Sequence, residues 1–307
     1  MSNKVYAIMG ATGQIGHVVV EQLLKKGHTV RAIGRDQKKL DLLKAQGAHI
    51  FQTKDFDNEK LLSEAFHEVE AVFCMLPPSM AAKDYLADQT AIGEAIVQAI
   101  KANSIRYVVN LSSLAAQLPD GTGPIKGLHS QEKRLDAIEG LNVLHLRASF
   151  FMENFFGSIS IIQDTGRVKT ALRPDLSIPM VCTEDIGMKA AEFLDRLDFK
   201  GQTLFEFTGP RSYTMIEATE ILSKAIDKKN VQYEQLSYEE AKKMMMAQGA
   251  SSKVADLMME MYRAFNENKF TTEQELIGEH LGKITFDHFA KNTFAPFFYK
   301  SKEKVKV

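Results

Sequence analysis

Short apolar runs alternate with amphipathic stretches along the first half of the chain. The runs that read as strands lie at residues 5–9, 29–33, 49–52, 71–75, 107–111 and 141–146. The stretches with helical spacing of apolar residues lie at 15–26, 36–46, 58–66, 84–102 and 127–138. Strict alternation of strands and helices predicts a parallel sheet with right-handed crossovers. Because the strands are continuously apolar, helices should cover both faces, which is an α/β, doubly wound Rossmann fold.

The second half of the chain continues the pattern less regularly. Residues 183–195 predict a helix, and residues 202–207 predict a seventh strand that returns to the main sheet. Two Ser/Thr-x-x-Glu patterns predict helices that begin with a capping box, at Thr214 with Glu217 and at Ser237 with Glu240.

A glycine-rich turn, residues 10–16, joins the first predicted strand to the first predicted helix. Gly10 permits a sharp turn, Gly13 leaves the backbone open to a pyrophosphate, and Gly16 lets the helix pack closely on the sheet. The first-turn N–H groups and the helix dipole favour an anion. The alternative is a glycine turn without a ligand. We predict a dinucleotide-phosphate site formed by Gly10, Thr12, Gly13, Gln14, Ile15 and Gly16.

The end of the second strand indicates which dinucleotide the chain would prefer. An acidic residue there holds the ribose hydroxyls of NAD, whereas an arginine accommodates the 2′-phosphate of NADP. Arg35 is nearest the strand end, with Lys39 on the following helix, and the planar arginine fork suits a phosphate. Asp36 could be the NAD acid, or it could simply cap the helix. The pattern favours NADP(H), with Arg35 and Lys39 at the phosphate.

Composition narrows the class of protein. The 307 residues carry a net charge of −1 without a dense basic stripe, which argues against nucleic acid as the main partner. No apolar run approaches the roughly 20 residues that a membrane helix needs, and the first strand begins too early for a signal peptide. Cys74 and Cys182 are expected to be small buried hydrophobes rather than a disulfide. With no metal-ligand spacing visible, we expect a cytoplasmic protein without membrane, nucleic-acid or metal partners.

Several short motifs together resemble one family. They are the glycine turn at 10–16, Gly34-Arg35-Asp36, and residues 54–57, 110–113 and 147–155, the last reading Arg-Ala-Ser-Phe-Phe-Met-Glu-Asn-Phe. Over residues 4–210 the chain resembles the NmrA-like atypical short-chain dehydrogenases/reductases, especially the branch with NADPH:quinone oxidoreductase type 2 and triphenylmethane reductase. The resemblance implies an NADPH-binding Rossmann domain and a small α+β C-terminal substrate lobe. We expect the first over residues 1–155, with 183–208 returning to it, and the second mostly over 156–307.

The resemblance also implies further cofactor contacts. Asp55 and Phe56 follow the third strand, where the family contacts adenine. Leu76, Pro77 and Pro78 follow the fourth strand, at the edge where ligands bind in such sheets. Ser149 and Phe150 follow the sixth strand, where the family closes over the nicotinamide. The alternative for Pro77 and Pro78 is that they simply end the strand, and the alternative for Phe150 is ordinary core packing.

The predicted helix 127–138 carries the candidate catalytic residues. Ordinary short-chain dehydrogenases place Tyr-x-x-x-Lys there, and this chain has His129 and Lys133 at that spacing. Lys133 is expected to bind the nicotinamide ribose, and His129 either assists a substrate oxygen or is a solvated helix residue. Tyr238 and Lys242 also match the spacing, but they lie far beyond the sheet at the start of a capped helix. They are not expected to be catalytic.

Two further features bear on the acceptor. Ser112 and Ser113, at the end of the fifth strand, either bond an acceptor oxygen or satisfy a local turn. A predicted helix face carries apolar residues at helical spacing: Met258, Met261, Tyr262 and Phe265. This face either packs into the core or forms a pliable lid over a flat ring. We expect an NADPH-dependent oxidoreductase that reduces a quinone or related aromatic substrate. The alternative is a non-catalytic NADP(H)-sensing regulator with a protein partner, and a homodimer is possible in either case.

Overall fold

The computed structural model describes residues 5–305 of the chain. Within these residues the strands are β1 Val5–Ile8, β2 Thr29–Gly34, β3 His49–Gln52, β4 Ala71–Cys74, β5 Tyr107–Ser113, β6 Asn142–Ala148, β7 Phe150–Phe151, β8 Arg167–Thr170, β9 Ile178–Val181, β10 Gln202–Phe207, β11 Ser212–Tyr213 and β12 Gln232–Gln235. The α-helices are α1 Gln14–Lys25, α2 Gln37–Ala45, α3 Glu59–Ala65, α4 Tyr85–Ala102, α5 Ile125–Asp136, α6 Ile159–Thr165, α7 Thr183–Arg196, α8 Met215–Ala225, α9 Tyr238–Ala247, α10 Ser252–Asn266, α11 Phe286–Phe289 and α12 Ala295–Val305.

The main sheet has seven strands in the order β10-β6-β5-β4-β1-β2-β3. Every neighbouring pair is parallel, which confirms the predicted doubly wound Rossmann fold. β10 lies beside β6, with Gln202 opposite Val143, so the predicted seventh strand does return to the sheet. The strand order reverses between β1 and β4, and ligands of such sheets bind at the carboxyl ends beside that switch point.

Helices cover both faces of this sheet, as predicted. On one face α1 and α7 pack against the strands through residues such as Val19, Leu23 and Leu194. On the other face α3, α4 and α5 contribute a second core. Burial of these apolar faces is the main stabilising contribution, since each fully buried aliphatic side chain contributes about 1.5–3 kcal/mol.

The C-terminal part adds a second layer of structure above the carboxyl edge of the sheet. Two small sheets, β11-β9-β7 and β12-β8, pack with α8 around a phenylalanine-rich core. A 3₁₀ segment at Met152–Ser158 leads into this part, and a π-helical turn at Ala290–Phe294 joins α11 to α12. The side chains that this core buries completely include Phe286, Phe289, Phe294 and Phe298.

Helix starts follow the local sequence signals. α8 and α9 begin with the predicted capping boxes, Thr214 with Glu217 and Ser237 with Glu240. Cys74 and Cys182 are both buried and form no disulfide with each other, and their thiols donate to Asn110 and Glu153 respectively. None of the helices in the described part of the chain combines the length and apolarity that crossing a bilayer requires.

Candidate functional site

The glycine turn has the geometry of an open phosphate corner. Gly10 has a φ of +65°, and the Gly13 N–H donates to its carbonyl at 2.8 Å. A Cβ on Gly16 would lie 2.3 Å from the Gly10 carbonyl oxygen, so only glycine permits this close approach of helix and turn. Gly13 is the N-cap of α1 and offers no side-chain cap, and the first turn of the helix has no acidic residue. Its first N–H groups are therefore left for an anion.

The other members of the turn differ in what they present. Gly13 and Gln14 are exposed and Thr12 is half-buried. The side chain of Ile15 is buried in the sheet core, so only its backbone N–H is available to a ligand. Thr12 packs closely on β2, since a Cβ on Gly34 would lie 2.7 Å from its methyl group. The corner is thus formed mainly by backbone.

Cationic side chains stand where β2 ends. Arg35, Lys38 and Lys39 are all exposed there. The carboxylate of Asp36 accepts a hydrogen bond from the Lys39 backbone N–H at 3.2 Å and is the N-cap of α2. This is the capping alternative for Asp36, and it leaves Arg35 and the lysines as the groups that face solvent at the strand end.

The predicted adenine contacts divide into one surface and one core residue. Asp55 is exposed, and its backbone N–H donates to Thr53 Oγ1 at 3.0 Å. Phe56 is only 4% exposed and belongs to the core cluster that includes Leu62 and Phe66. Core packing, the alternative for an aromatic residue at this position, therefore describes the side chain of Phe56.

A cavity of about 600 Å³ opens at the carboxyl ends of β4 and β5. It brings together six of the predicted site residues: Leu76, Pro78, Ser112, Ser113, Ser149 and Phe150. Pro77 is half-buried and does not line it. Met75 also lines the cavity, and its Sδ lies 3.3 Å from where a Cβ on Gly10 would stand. The cavity therefore adjoins the glycine turn.

The far wall of the cavity comes from the C-terminal part and is rich in methionine and phenylalanine. All four residues of the predicted helix face on α10 line it: Met258, Met261, Tyr262 and Phe265. Phe265 also stacks on Phe270 with ring centroids 3.5 Å apart and belongs to the lobe core. The face is thus both core and cavity wall. Among the described residues, Lys169 is the one charged side chain of the lining.

A buried ion pair supports the cavity floor behind Ser112. Its hydroxyl donates to Glu132 Oε1 at 2.6 Å. Glu132 also accepts from Arg147, Nε to Oε1 at 2.9 Å and the terminal nitrogen to Oε2 at 2.7 Å, and Arg147 contacts Glu273. The side chains of Glu132 and Arg147 are 6% and 9% exposed. Burial alone would raise the pKa of Glu132, but hydrogen bonds from Arg147 and Ser112 bring that pKa below its ordinary value.

This network gives the two serines different roles. An ionised Glu132 only accepts hydrogen bonds, so the Ser112 proton is committed to it and Ser112 presents lone pairs to the cavity. Ser113 Oγ has no hydrogen-bond partner among residues 5–305 and can donate into the cavity. The pattern could not be found from sequence, because Ser112, Glu132 and Arg147 lie on three separate elements.

His129 and Lys133 do not line this cavity, and their roles beside the nicotinamide stay predictions. Lys133 is exposed on α5, and His129 Nδ1 lies 2.7 Å from the Ala116 carbonyl, to which it donates. Neither lines the cavity, whereas Ile125 and Leu128 do. The reason is helical phase. Each residue turns about 100° from its predecessor, so the position after the inward-facing Glu132 points to solvent.

Tyr238 and Lys242 each contact other side chains of the C-terminal part. Tyr238 accepts a hydrogen bond from Asn266 at 2.9 Å, and the Arg263 guanidinium lies over its ring. Lys242 pairs with Asp256 at 2.5 Å. Neither lines the cavity.

The Phe-Met-Glu-Asn-Phe stretch joins the two parts of the fold. Glu153 accepts hydrogen bonds from the backbone N–H and the hydroxyl of Thr183, at 3.0 and 2.6 Å, and so caps α7 from a distant segment. Burial raises the pKa of this carboxyl. Asn154 and Phe155 line the cavity. Sequence spacing could not identify the cap, because Glu153 lies thirty positions before the helix that it serves.

Comparison with known proteins agrees with this geometry. The sequence profile of the NmrA-like family matches residues 2–289. Prestalk A differentiation protein A of Dictyostelium discoideum is 28% identical, over 94% of this chain and 92% of its own. NAD(P)H azoreductase of Xenophilus azovorans is 25% identical, over 94% of this chain and 98% of its own.

Solved structures share the whole fold. NADPH-dependent quinone oxidoreductase of Escherichia coli, solved with NADPH, superposes with a TM-score of 0.79 at 23% identity, covering 94% of this chain and 99% of its own. Triphenylmethane reductase of Citrobacter sp., solved with NADP(H), gives 0.77 at 20% identity, covering 94% and 99%. The negative transcriptional regulator NmrA, solved with NADP, gives 0.73 at 16% identity, covering 100% and 99%.

Proposed function

The chain belongs to the NmrA-like family, and on that premise we propose that it is an NADPH-dependent reductase of quinones or related flat aromatic acceptors. The observation that carries this proposal is the position of Met75, which lines the cavity and has its Sδ 3.3 Å from where a Cβ on Gly10 would stand. Through it, an apolar cavity of about 600 Å³ adjoins a corner suited to a dinucleotide phosphate. Cavities of this size, apolar with a few polar groups, are typical of small-molecule sites.

The residues of the corner fit a dinucleotide. The uncapped first turn of α1 offers N–H groups to the pyrophosphate, and the bare backbone at Gly13 permits close approach. Arg35, with Lys38 and Lys39, would bind a 2′-phosphate, which favours NADPH over NADH. Asp55 would face the adenine end. Relatives solved with NADPH or NADP support this assignment.

The cavity residues would bind and orient the acceptor. When bound, the reduced dinucleotide supplies a hydride, which together with one proton from water converts a quinone into a hydroquinone. The Ser113 hydroxyl would donate to an acceptor oxygen. Ser112, whose hydroxyl proton is held by Glu132, would accept a hydrogen bond from a donor group of the dinucleotide or of the acceptor. Phe150 and the Met258 side of α10 would exclude water from the ring.

Neither His129 nor Lys133 has a part in this proposal, because neither lines the cavity. Electron-poor acceptors require little acid assistance, so positioning of the ring can supply much of the rate. A reductase without the usual Tyr-x-x-x-Lys pair is chemically reasonable for such acceptors.

A regulator that senses NADP(H) and binds a partner protein is the second candidate. The structural match to the regulator NmrA favours it, because the same fold serves both classes. The apolar cavity favours the reductase, since a pure sensor needs no second small-molecule site.

An NADPH-oxidation assay against a panel of quinones, without added flavin or metal, tests the proposal. We expect turnover with NADPH and slower turnover with NADH. Tight NADPH binding with no oxidation by any acceptor would reject the reductase and favour the regulator.

A further inference from the structure

Lys169, the one charged side chain that the described residues contribute to the cavity lining, leads to an inference about the acceptor's charge. Lys169 lies on β8, in the C-terminal part, and lines the same cavity as Ser113. Within residues 5–305 no aspartate or glutamate lines this cavity. A cation in an apolar enclosure interacts strongly with an anionic ligand, because the surrounding low dielectric screens it poorly.

Lys169 shares its carboxylate partner with a second cation. Its ammonium lies 3.3 Å from Glu234, which stands directly opposite it in the β8–β12 register. Arg167 binds the same carboxylate at 3.2 Å. The three side chains therefore carry a net charge of +1, and Arg167 can hold Glu234 when Lys169 turns to a ligand.

From this arrangement we infer that the cavity selects flat aromatic molecules bearing an acidic group, such as a sulfonate or carboxylate, which Lys169 binds. The inference rests on the proposed function for the identity of the cavity as the acceptor site, and it names the substrate class. The acidic group lies at the β8 wall, and the ring lies among the methionine and phenylalanine side chains. Uncharged quinones bind without this contact.

A ligand pair that cannot be reduced separates this inference from the proposed function. Naphthalene-2-sulfonate and naphthalene-2-sulfonamide have nearly the same shape and differ in charge. Calorimetric titration of the purified protein, with and without NADP⁺, should show the sulfonate binding about 10-fold more tightly, as expected for one charge-assisted hydrogen bond. Added salt should reduce the difference.

Three variants should have different effects on the preference for the sulfonate. Lys169→Met should abolish the preference, and Lys169→Arg should keep it. Glu234→Gln should increase it, because the lysine loses its competing carboxylate. The sulfonamide affinity should not change in any of these variants, and melting curves check that each remains folded.

The outcomes are distinct. If the wild type shows no preference for the sulfonate, or if the preference survives Lys169→Met, the inference is wrong, and Lys169 is only the cross-strand partner of Glu234. If the preference behaves as expected but no quinone oxidises NADPH, the anion site stands and the reductase proposal fails.

Discussion

The two halves of the candidate site are constructed in opposite ways. The phosphate corner at Gly10–Gly16 consists of backbone from one continuous segment, with exposed cations beside it. The proposed acceptor cavity consists of side chains from many separate segments, most of them apolar. Under the proposed function, the corner would bind an invariant feature of the cofactor, the pyrophosphate, whereas single side chains would set the ligand of the cavity. This difference explains how one fold can serve many acceptors.

Removing the support of the cavity should affect stability most. Glu132→Gln leaves Arg147 buried without its main counter-charge, and we expect a loss of about 3 kcal/mol in unfolding free energy, the lower end for a broken buried pair because Glu273 remains. The lowered pKa of Glu132 means that its contribution is present above pH 4.5, its ordinary value, and is lost as pH falls further.

Urea titrations between pH 7 and pH 3 measure the free energy of unfolding and test this pH dependence. The difference in unfolding free energy between wild type and Glu132→Gln should shrink below pH 4.5. The exposed Glu139→Gln variant is the control and should change stability by less than about 0.5 kcal/mol. Equal stability of the two variants at neutral pH would show that the pair does not support the floor.

Blocking the corner should affect dinucleotide binding next. Gly13→Val adds a side chain where the pyrophosphate approaches, and its Cβ would already lie 3.2 Å from the Gly10 carbonyl. We expect at least about a 100-fold loss of NADPH affinity, equivalent to two steps of 1.4 kcal/mol. Calorimetry measures it, and circular dichroism checks the fold. Undiminished affinity in a folded variant would contradict the phosphate corner.

The cations beside the corner should distinguish the two dinucleotides. Arg35→Ala should weaken the binding of NADPH about 10- to 100-fold, which is the range for loss of a charged hydrogen bond. The affinity for NADH should not change. Arg106→Ala serves as the control for a general loss of charge. Arg106 is exposed and directly precedes β5, so it lies at the amino ends of the strands. Equal weakening of both dinucleotides would return Asp36 to consideration as a ribose ligand.

The smallest expected effect concerns the cavity serines. Ser113→Ala should lower kcat for a quinone about 10-fold, through loss of one hydrogen bond to the acceptor oxygen. Lys133→Met and His129→Ala should leave kcat within experimental error, because neither side chain lines the cavity. A large loss in Lys133→Met with normal Ser113→Ala kinetics would restore the motif-based placement of the lysine.

These contrasts also show what sequence can reveal. The corner could be predicted because Gly10, Gly13 and Gly16 act within one turn, and the strands because their apolar runs are local. The exposure of Lys133 and its position outside the cavity could not be predicted, because a spacing motif does not determine the phase of a helix on its sheet. The position of Lys169 in the cavity wall could not be predicted, because β8 has only four residues and joins the cavity through long-range packing. The α10 face was visible as a pattern, but only the fold shows that it lines a cavity.

A single-turnover measurement on protein saturated with NADPH tests the proposed hydride transfer most directly. The protein is mixed with excess menadione, without flavin, and the reduced-nicotinamide absorbance is followed by stopped flow. If the protein is an NADPH-dependent reductase, the signal of bound NADPH should decay. The decay should be slower when the transferred hydrogen is deuterium, and it should be lost in Gly13→Val. A persistent NADPH signal, with binding verified by calorimetry, would contradict the reductase and leave a cofactor-binding regulator.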